Sequence, residues 1–357
     1  STLKVKDLKK KNGGPSAVVK ATVTTSRRPC CSTQSVCREE TQPGTQSIKL
    51  ERFQAVAKVL IVTTFMEDAM RVILTFSVQQ KSMVIAGWQN PFLHTALPIL
   101  SLIIQFTGGL LIALPSAGRR PEAGCYLLIA WCLWHPFMYR QQQNWEFVLE
   151  TLTIQGGLLI LLSHFMLLRP DAKQPLLGGS KVDNPIHKRA NQLQAFGRML
   201  IVAIFLYYAF QKVHTYTQRM HHFGLSNQQA ETAWGTIMIE GIVIVVLLYM
   251  CSLVIIGMKS RWCALALALM MFVTACYFHP FWIYMISSKE TYDLEGVAGM
   301  EGYTVDAFTM ADHQRYFFFQ TMSTVGALLL LVVHGPGNLS VDEHNGPMQL
   351  PTAKGDA

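Results

Sequence analysis

The sequence predicts an all-α polytopic membrane protein with about eight transmembrane helices in two parallel four-helix repeats. Half of the 357 residues are hydrophobic and only 15% are charged, and the mean hydropathy is positive. Apolar runs long enough for a helix to cross a bilayer recur along the chain, separated by polar breaks. Related patterns in the two halves indicate an internal repeat. This composition argues against a soluble enzyme.

The length of each apolar run and its polar flanks place the eight spans. They cover residues 55–77, 91–114, 123–140, 147–168, 196–217, 233–257, 262–286 and 314–334. The chain then divides into five parts. They are a basic extended N-terminal arm (1–52), a first four-helix half (53–168), an inner-side linker (169–194), a second four-helix half (195–334) and a C-terminal tail (335–357). No span lies at the extreme N-terminus, so we expect no secretory signal peptide.

The distribution of Lys and Arg predicts that both termini lie on the inner face of the membrane. Residues 1–52 hold eleven of these residues, the even loops and the tail hold eleven more, and the odd loops, with which we count Arg315, hold six. Basic residues favour the inner side, so the formal net charge of +8 reflects orientation and indicates no nucleic-acid partner. Residues 1–45 show no helical or strand period, which predicts an extended arm. Their Ser-rich, acid-poor composition is also typical of an organelle-targeting segment.

The first span is unusual because Glu67, Asp68 and Arg71 lie near its middle. A charged side chain at mid-membrane costs roughly 3 kcal/mol on insertion scales, so these residues should face protein or trapped water. On a helix, Glu67 lies four residues before Arg71 and Asp68 lies three before it, so both acids can share this base. The group is either a local ion pair that only packs or the polar floor of a pocket, the usual meaning of ionisable residues inside a membrane.

The internal repeat relates spans one and five, three and seven, and four and eight. Residues 58–69 match residues 198–209 in register, at an offset of 140 (198 minus 58). The third and seventh spans each end in His-Pro-Phe, beginning at His135 and His279. An even number of spans per half gives both halves one orientation, related by a pseudo-twofold axis along the membrane normal.

The repeat is broken at the charged residues of the first span. Tyr207 and Tyr208 stand in the second half where Glu67 and Asp68 stand in the first. This asymmetry indicates that the first-span charges have a purpose of their own. The small-residue pairs inside the spans, by contrast, predict close helix–helix contacts. These pairs are Gly108-Gly109, Gly156-Gly157 and Gly326-Ala327.

The predicted orientation gathers polar residues toward the outer (luminal or intermembrane) face. Odd spans run outward and even spans inward, so the outer halves contain the set His135, Glu150, Glu240, His279 and Gln320. Glu67 and Asp68 lie near the midplane beneath them. The simplest arrangement is an acidic cavity that opens outward. Its expected rim residues are His135, Glu150 and His279.

No motif predicts a catalytic residue, a metal site or a cofactor. The eight cysteines include no CxxC pair and no zinc spacing. The pairs His135/His279 and His164/His334 lie at opposite faces in this topology, and no His-plus-carboxylate spacing accompanies them. We therefore expect no enzyme activity and no cofactor apart from bound lipids.

Motifs along the membrane part carry a family resemblance. They are Thr64-Phe-Met-Glu67-Asp68-Ala-Met-Arg71, Gln105-Phe-Thr-Gly108, Gly197-Arg198, Lys259-Ser-Arg-Trp-Cys-Ala-Leu, Tyr277-Phe278-x-x-Phe281-Trp282, Phe318-Phe-Gln-Thr-Met-Ser-Thr-Val-Gly326, Gly335-Pro-Gly and Ser340-Val-Asp-Glu343. From about residue 50 to 343 the chain resembles the surfeit locus protein 4 family, and the eighth span is the most specific part. The resemblance implies a polytopic cargo receptor of the endoplasmic reticulum (ER). Such receptors load soluble secretory proteins into COPII carriers by reading a short peptide at the cargo's mature N-terminus. The resemblance also implies distant kinship with DoxX-type four-helix membrane proteins.

The first functional hypothesis that follows is a non-enzymatic sorting receptor for ER-to-Golgi transport, in the ER or early secretory membrane. Glu67 and Asp68 would hold the cargo's α-amino group, and aromatic side chains would supply apolar walls. The expected ligand-binding residues are Glu67, Asp68, Arg71, Glu240, Phe281, Trp282, Phe319 and Gln320. The expected partners are membrane lipids, cargo N-termini and coat machinery, with no nucleic acid.

The second hypothesis is a structural accessory subunit of a complex in the mitochondrial inner membrane or another organellar membrane. Its arm and tail would clamp neighbouring subunits. The composition of the arm favours this interpretation, as does the C-terminal sequence 351–357, which lacks the di-lysine retrieval signal typical of the family. The strength of the family resemblance favours the receptor.

Overall fold

The computed structural model describes most of the membrane part of the chain. The described residues are 43–114, 120–169, 185–223, 230–286, 291–293 and 304–344. The predicted arm up to residue 42, the linker from 170 to 184 and the tail beyond 344 lie outside them. Within the described part, the elements are helices and one short hairpin, which confirms the predicted all-α polytopic fold.

The helices of the first part of the chain are α1 (Pro43–Leu74), α2 (Phe76–Ile85), α3 (Pro91–Ala113), α4 (Pro121–Met138) and α5 (Trp145–Leu168). Those of the second part are α6 (Pro185–Ile201), α7 (Ala203–Phe223), α8 (Ala230–Ile256), α9 (Ser260–Phe278), α10 (Phe281–Ile286), α11 (Ala307–His334) and α12 (Val341–His344). Between α10 and α11, strands β1 (Thr291–Asp293) and β2 (Thr304–Asp306) pair antiparallel, with Tyr292 opposite Val305. This hairpin was not predicted from the sequence.

Six helical segments of the described chain are long and apolar enough to cross a membrane. They are Pro91–Ala113, Trp145–Leu168, Pro185–Gln218, Met238–Ile256, Ser260–Ile286 and Ala307–His334. The predicted count of eight is not confirmed, because α1 and α4, the first and third predicted spans, are not among the six. The apolar stretch of α1 is interrupted by the set Lys58, Glu67, Asp68 and Arg71, and α4 has polar residues near both ends, Glu122 and His135.

Helix α5 lies at the centre of the bundle. It packs against α4, α6 and α11, and it is buried along most of its length. Helix α1 packs against α3 and α11, so the first and the last long helices are neighbours. Helix α8 packs against α7 and α9 and exposes large apolar side chains, among them Ile242, Val245 and Tyr249. An exposed apolar face of this kind suits contact with lipid.

Glycines permit the closest helix contacts, as the sequence predicted. A Cβ added to Gly156 of α5 would lie 2.6 Å from the carbonyl oxygen of Gly197 of α6, and a Cβ added to Gly197 would lie 2.7 Å from the carbonyl oxygen of Gly156. A Cβ added to Gly326 of α11 would lie 2.6 Å from the amide nitrogen of Ile61 in α1. Backbones can approach this closely only where side chains are absent.

Two helix starts position the outer polar residues. The Asn144 side chain accepts a hydrogen bond from the Phe147 amide at 3.4 Å, so α5 begins at Trp145 and places Glu146 in its first turn. The Asp306 carboxylate accepts from the Thr309 amide at 3.2 Å, which starts α11 at Ala307. An N-cap of this type satisfies amides that have no partner within the helix. Helix α11 therefore begins seven residues before the predicted position 314 (314 minus 307).

At the other end of the bundle, which the sequence predicts to face inward, residues 335–344 lie against the helix ends. Gln194 Nε2 donates to the Gly335 carbonyl at 2.7 Å, and Arg198 Nη2 donates to the Leu339 carbonyl at 2.6 Å. The Asp342 carboxylate accepts from the Lys259 amide at 2.8 Å and so caps α9 from a distance in sequence. The family-like motifs at 197–198, 259–265, 335–337 and 340–343 thus meet at one place.

Candidate functional site

The charged residues of α1 lie inside the bundle. Glu67 is 8% exposed and Asp68 is 5% exposed. Arg71 Nη2 donates to Asp68 Oδ1 at 2.8 Å, and its guanidinium lies 4.7 Å from the centre of the Tyr316 ring on α11. The cation is therefore held by a carboxylate on its own helix and by an aromatic face on a neighbouring one.

Arg71 donates a hydrogen bond to Asp68, and its charge also acts on Glu67, but Glu67 takes its own hydrogen bond from another base. Glu67 Oε1 accepts from Arg315 Nε at 3.0 Å. Arg315 Nη2 also donates to Asp312 Oδ1 at 2.6 Å, one turn earlier on α11. Each buried acid of α1 has its own guanidinium, and the Glu67–Arg315 pair joins α1 to α11.

Helix α3 supplies the second partner of Asp68. Gln105 Nε2 donates to Asp68 Oδ2 at 2.6 Å and lies 2.8 Å from Ser101 Oγ. Gln105 is 1% exposed and Ser101 is fully buried. Both oxygens of the Asp68 carboxylate are thereby occupied by protein donors.

A further pair of acids lies on α5. Tyr208 Oη of α7 donates to Glu146 Oε1 at 3.0 Å and lies 3.4 Å from Glu150 Oε1. Gln320 Nε2 of α11 donates to Glu150 Oε2 at 2.6 Å. Helices α5, α7 and α11 are thus joined through two carboxylates, a phenol and an amide.

We refer to these bonded groups at the end of the bundle predicted to face outward as the outer polar cluster. It consists of Glu67, Asp68, Arg71, Ser101, Gln105, Glu146, Glu150, Tyr208, Asp312, Arg315 and Gln320. A small cavity of about 30 Å³ lies within it, room enough for a water-sized group. Its polar lining comes from Thr64, Asp68, Gln105, His135, Thr151, Tyr316 and Gln320.

Two acceptors of the outer polar cluster have no hydrogen-bond partner among the described residues. They are Glu67 Oε2 and Gln320 Oε1, and both atoms are buried. Buried acceptors in native proteins are nearly always satisfied by a donor. These two atoms therefore indicate where a donor from water or from a ligand can bind.

The structure brings only part of the predicted site together. Asp68, His135 and Gln320 line the cavity, and Glu67, Arg71 and Glu150 belong to the surrounding cluster. Glu240 does not line the cavity, because α8 has α7 and α9 as its main neighbours. His279 Nδ1 lies 2.9 Å from Gln314 Oε1, also away from the cavity lining.

The predicted aromatic residues form a separate cluster between α10 and α11. The Phe281 ring centre lies 5.3 Å from that of Trp282 and 6.1 Å from that of Phe319, with Phe318 between them. None of these aromatic residues lines the cavity. Trp282 is 39% exposed, so this cluster presents an apolar surface of its own.

Sequence reasoning missed Arg315, Asp312, Gln105 and Tyr208 as members of the cluster. Asp312 and Arg315 are three residues apart, a helical spacing that could have revealed an ion pair. Arg315 is only the second residue of the predicted span 314–334, and the charge count assigns it to the outer loop that precedes this span. Its place inside the bundle was therefore missed. Among the described residues, no three His, Cys, Asp or Glu side chains lie close enough to hold a metal ion.

Comparisons with known proteins identify relatives of the chain. A family model described as the SURF4 family matches residues 35–295 and 303–346. The Surfeit locus protein 4 homolog of Drosophila melanogaster is 24% identical over 291 residues, which are 81% of this chain and 88% of that protein. The homolog of the same name in Schizosaccharomyces pombe is 24% identical over 290 residues, 81% of this chain and 80% of that protein. The ER-derived vesicles protein ERV29 of Saccharomyces cerevisiae is 22% identical over 292 residues, 81% and 76% of the two chains. No solved structure gives a significant match.

Proposed function

The chain belongs to the SURF4 family, and on this premise we propose that it is a non-enzymatic receptor of the ER or early secretory membrane. The receptor collects soluble secretory proteins on its outer, luminal side and passes them into ER-derived vesicles. The match over residues 35–295 and 303–346 is the observation that carries this proposal. The name of the similar yeast protein, which refers to ER-derived vesicles, supports the compartment.

The charge of the outer polar cluster supports a ligand with a cationic group. The cluster contains the carboxylates of Glu67, Asp68, Glu146, Glu150 and Asp312 and only the guanidinium groups of Arg71 and Arg315. Five carboxylates against two guanidinium groups leave an excess of acid. In a site with little water, such an excess favours a ligand that brings a positive charge. The α-amino group of a mature secretory protein has this charge.

The aromatic cluster of α10 and α11 suits the apolar side chains that follow such an amino group. Phe281, Trp282 and Phe319 lie apart from the cavity, so we assign them contacts with cargo side chains rather than with the amine. Coat machinery on the inner side and membrane lipids complete the set of partners.

The accessory-subunit hypothesis depends on the N-terminal arm and the tail, and residues 1–42 and 345–357 lie outside the described part of the chain. It makes a different prediction for location. A mitochondrial subunit would be found in the inner membrane, within a complex of other proteins.

Deleting the gene in host cells and restoring it as a full-length tagged chain tests the proposal. We expect the deletion to retain a set of soluble secretory proteins in the ER, as measured by pulse-chase and by mass spectrometry of the medium. The tagged chain should restore export and should co-fractionate with ER markers. Normal export of all soluble clients without the gene would overturn the receptor role. Co-fractionation with the mitochondrial inner membrane would support the accessory subunit instead.

A further inference from the structure

Among the residues that the structure describes, Glu146 and Glu150 have no basic partner, unlike the acids of α1. Asp68 binds Arg71 at 2.8 Å, and Glu67 binds Arg315 at 3.0 Å. Within the described residues, no Lys, Arg or His side chain forms an ion pair with Glu146 or Glu150. The excess acid of the outer polar cluster therefore lies on α5 rather than on α1.

In the described part of the chain, the hydrogen-bond donors to these two carboxylates are neutral groups. The hydroxyl of Tyr208 has one proton, yet it lies 3.0 Å from Glu146 Oε1 and 3.4 Å from Glu150 Oε1. It can satisfy one of them at a time. The second neutral donor is Gln320 Nε2, at 2.6 Å from Glu150 Oε2. Like charges one helical turn apart repel each other, so the pair is poorly compensated by the protein itself.

The start of α5 explains one of the two acids but not the other. Glu146 lies in the first turn, where a carboxylate interacts favourably with the helix dipole. Glu150 lies one turn further along, where this effect has faded, and it is half-buried. A carboxylate that is partly removed from water and has no cation nearby is costly, and helix capping gives no reason for Glu150 to be there.

The carbonyl oxygen of Gln320 points to a missing donor at this place. Gln320 is 4% exposed, and its Oε1 has no partner among the described residues. This oxygen belongs to the same amide whose nitrogen binds Glu150. The shared Tyr208 hydroxyl and the bond from Gln320 place the two carboxylates and this amide near one another.

A primary ammonium group matches that arrangement because it carries a positive charge and three N–H donors. A calcium ion matches it less well, since it requires six to eight oxygen ligands. Glu146 is exposed at the beginning of α5, so a ligand can reach the pair from the end of the bundle predicted to face the lumen.

We propose that Glu146, Glu150 and Gln320 form a subsite for a primary ammonium group, which under the proposed receptor function is the α-amino group of the cargo. The acids of α1 then have a different task. Glu67 with Arg315 and Asp68 with Gln105 join α1 to α11 and to α3. The subsite deepens the proposed function and rests on it for the identity of the ligand.

Binding to the full-length protein in lipid nanodiscs tests the subsite directly. The probe is the N-terminal decapeptide of the soluble protein most strongly retained in cells that lack the gene, labelled at its C-terminus. It is prepared with a free and with an acetylated amino group. We expect the wild-type protein to bind the free peptide at least tenfold more tightly, by fluorescence anisotropy. Glu150→Gln should bring this ratio close to one, and Glu146→Gln and Gln320→Leu should reduce it.

Matched variants separate binding from folding. Glu150→Gln keeps the size of the side chain and an acceptor for Gln320, and thermal unfolding shows whether each variant is folded. Glu122→Gln should leave the ratio unchanged, because Glu122 pairs with Arg169 at the opposite end of α5 from the subsite. Equal binding of both peptides by the wild-type protein would overturn the inference. So would a ratio that survives Glu146→Gln with Glu150→Gln but is lost in Glu67→Gln with Asp68→Asn.

Two further outcomes separate this inference from the receptor function. Stabilisation by calcium chloride that Glu150→Gln removes would assign the subsite to a divalent cation and overturn the ammonium ligand. Export by the wild-type chain tests the receptor function, and export by the variants tests the subsite. If the Glu146→Gln, Glu150→Gln double variant restores export fully, the subsite is wrong although the receptor function stands. If amine-dependent binding is intact but the tagged chain co-fractionates with the mitochondrial inner membrane, the subsite stands and the receptor function is wrong.

Discussion

Single side chains in the outer half of the bundle are held mainly by partners on other helices. Glu67 pairs with Arg315 across the α1–α11 contact, and its side chain is only 6% exposed. Taking a buried ion pair out of water is costly, and removing one partner leaves a charge that nothing compensates. The Glu67–Arg315 pair therefore helps to determine that α1 packs against α11 more than it adds to the net stability of the protein.

Replacing Arg315 with Gln should destabilise the protein by about 2 kcal/mol, because Glu67 then loses a charged donor inside the bundle. The double variant Glu67→Gln, Arg315→Gln should be less destabilised than the sum of the two single variants. Denaturation with increasing sodium dodecyl sulfate measures these free energies in detergent micelles. The exposed Lys212 of α7 supplies the control Lys212→Gln, for which we expect no change. Strict additivity of the two single effects would contradict direct coupling.

The Glu122–Arg169 pair at the opposite end should make stability depend on pH. Burial raises the pKa of the Glu122 carboxyl, but the hydrogen bond from Arg169 Nε at 2.7 Å and its charge outweigh burial, so the pKa lies below its usual value of 4.5. A lowered pKa in the folded state stabilises the protein above 4.5, and this contribution is lost as the pH falls through the lower value. Arg169 is 42% exposed, so the effect is about 1 kcal/mol or less. Wild type and Glu122→Gln should differ in unfolding free energy at neutral pH and converge in acid. A constant difference would contradict this assignment.

The burial of Glu67 and Asp68 could be predicted from the sequence, because charges in an apolar run have nowhere else to go. Their partners could not. Glu67 and Arg315 are 248 positions apart, and only the packing of α1 on α11 shows that they meet. Phe319 and Gln320 are adjacent in sequence, yet only Gln320 lines the cavity, because adjacent helical residues point in different directions.

Among the long apolar helices of the described chain, α5 is buried over the largest part of its length. Its glycines allow two different close contacts, since Gly156 lies against α6 and Gly157 lies against α11. A Cβ added to Gly157 would lie 2.5 Å from Ile61 Cδ1 of α1 as well. This helix therefore has little room for larger side chains.

Replacing Gly156 or Gly197 with Ala should destabilise the bundle by about 1–3 kcal/mol, because the new methyl group meets a backbone carbonyl that cannot move away. Gly241 of α8 provides the matched control. A Cβ there would lie 3.5 Å from the Tyr216 ring, an ordinary contact distance, so Gly241→Ala should be neutral. Thermal unfolding midpoints of the purified variants decide the matter. Equal midpoints for Gly156→Ala and Gly241→Ala would show that α5 and α6 can separate at little cost.

The hydrophobicity of the sequence predicted most of the long helices, but not which of them are apolar enough to span a membrane. The second, fourth and sixth predicted spans correspond to α3, α5 and α8, each with an uninterrupted apolar run. The charges of α1 exclude it from the helices that span by apolarity alone. The mean hydropathy of a helix does not show which partners its charged residues have. The charged residues of α1 are stabilised by specific partners on α3 and α11.

Across the whole molecule, the chain segment 335–344 closes the end predicted to face inward. It contacts α6 through Gln194 and Arg198 and contacts the start of α9 through Asp342. Arg198 is 2% exposed, so this arrangement is part of the core. The segment fixes the point at which the C-terminal tail leaves the bundle.

Asp342→Ala should destabilise the protein by about 1 kcal/mol, the usual effect of losing a helix N-cap. The carboxylate accepts from the amides of Lys259 and Ser260, at 2.8 and 3.2 Å. Asp342→Asn keeps an acceptor and should lose less. Unfolding free energy measures the effect, and limited proteolysis should cut the alanine variant sooner between residues 335 and 344. Identical digestion of the alanine variant and the wild-type protein would contradict the role of Asp342.

The contact between α1 and α11 also has a consequence for biosynthesis. Helices leave the ribosome in sequence order, so Glu67 enters the membrane while Arg315 is still 248 residues from being made. An unpaired carboxylate in hydrocarbon is unfavourable, and water or the insertion machinery has to accommodate it during that interval. Only a chain translated through Ala307–His334 can bury Glu67 as an ion pair. Chains that stop before α11 therefore retain Glu67 without its Arg315 partner.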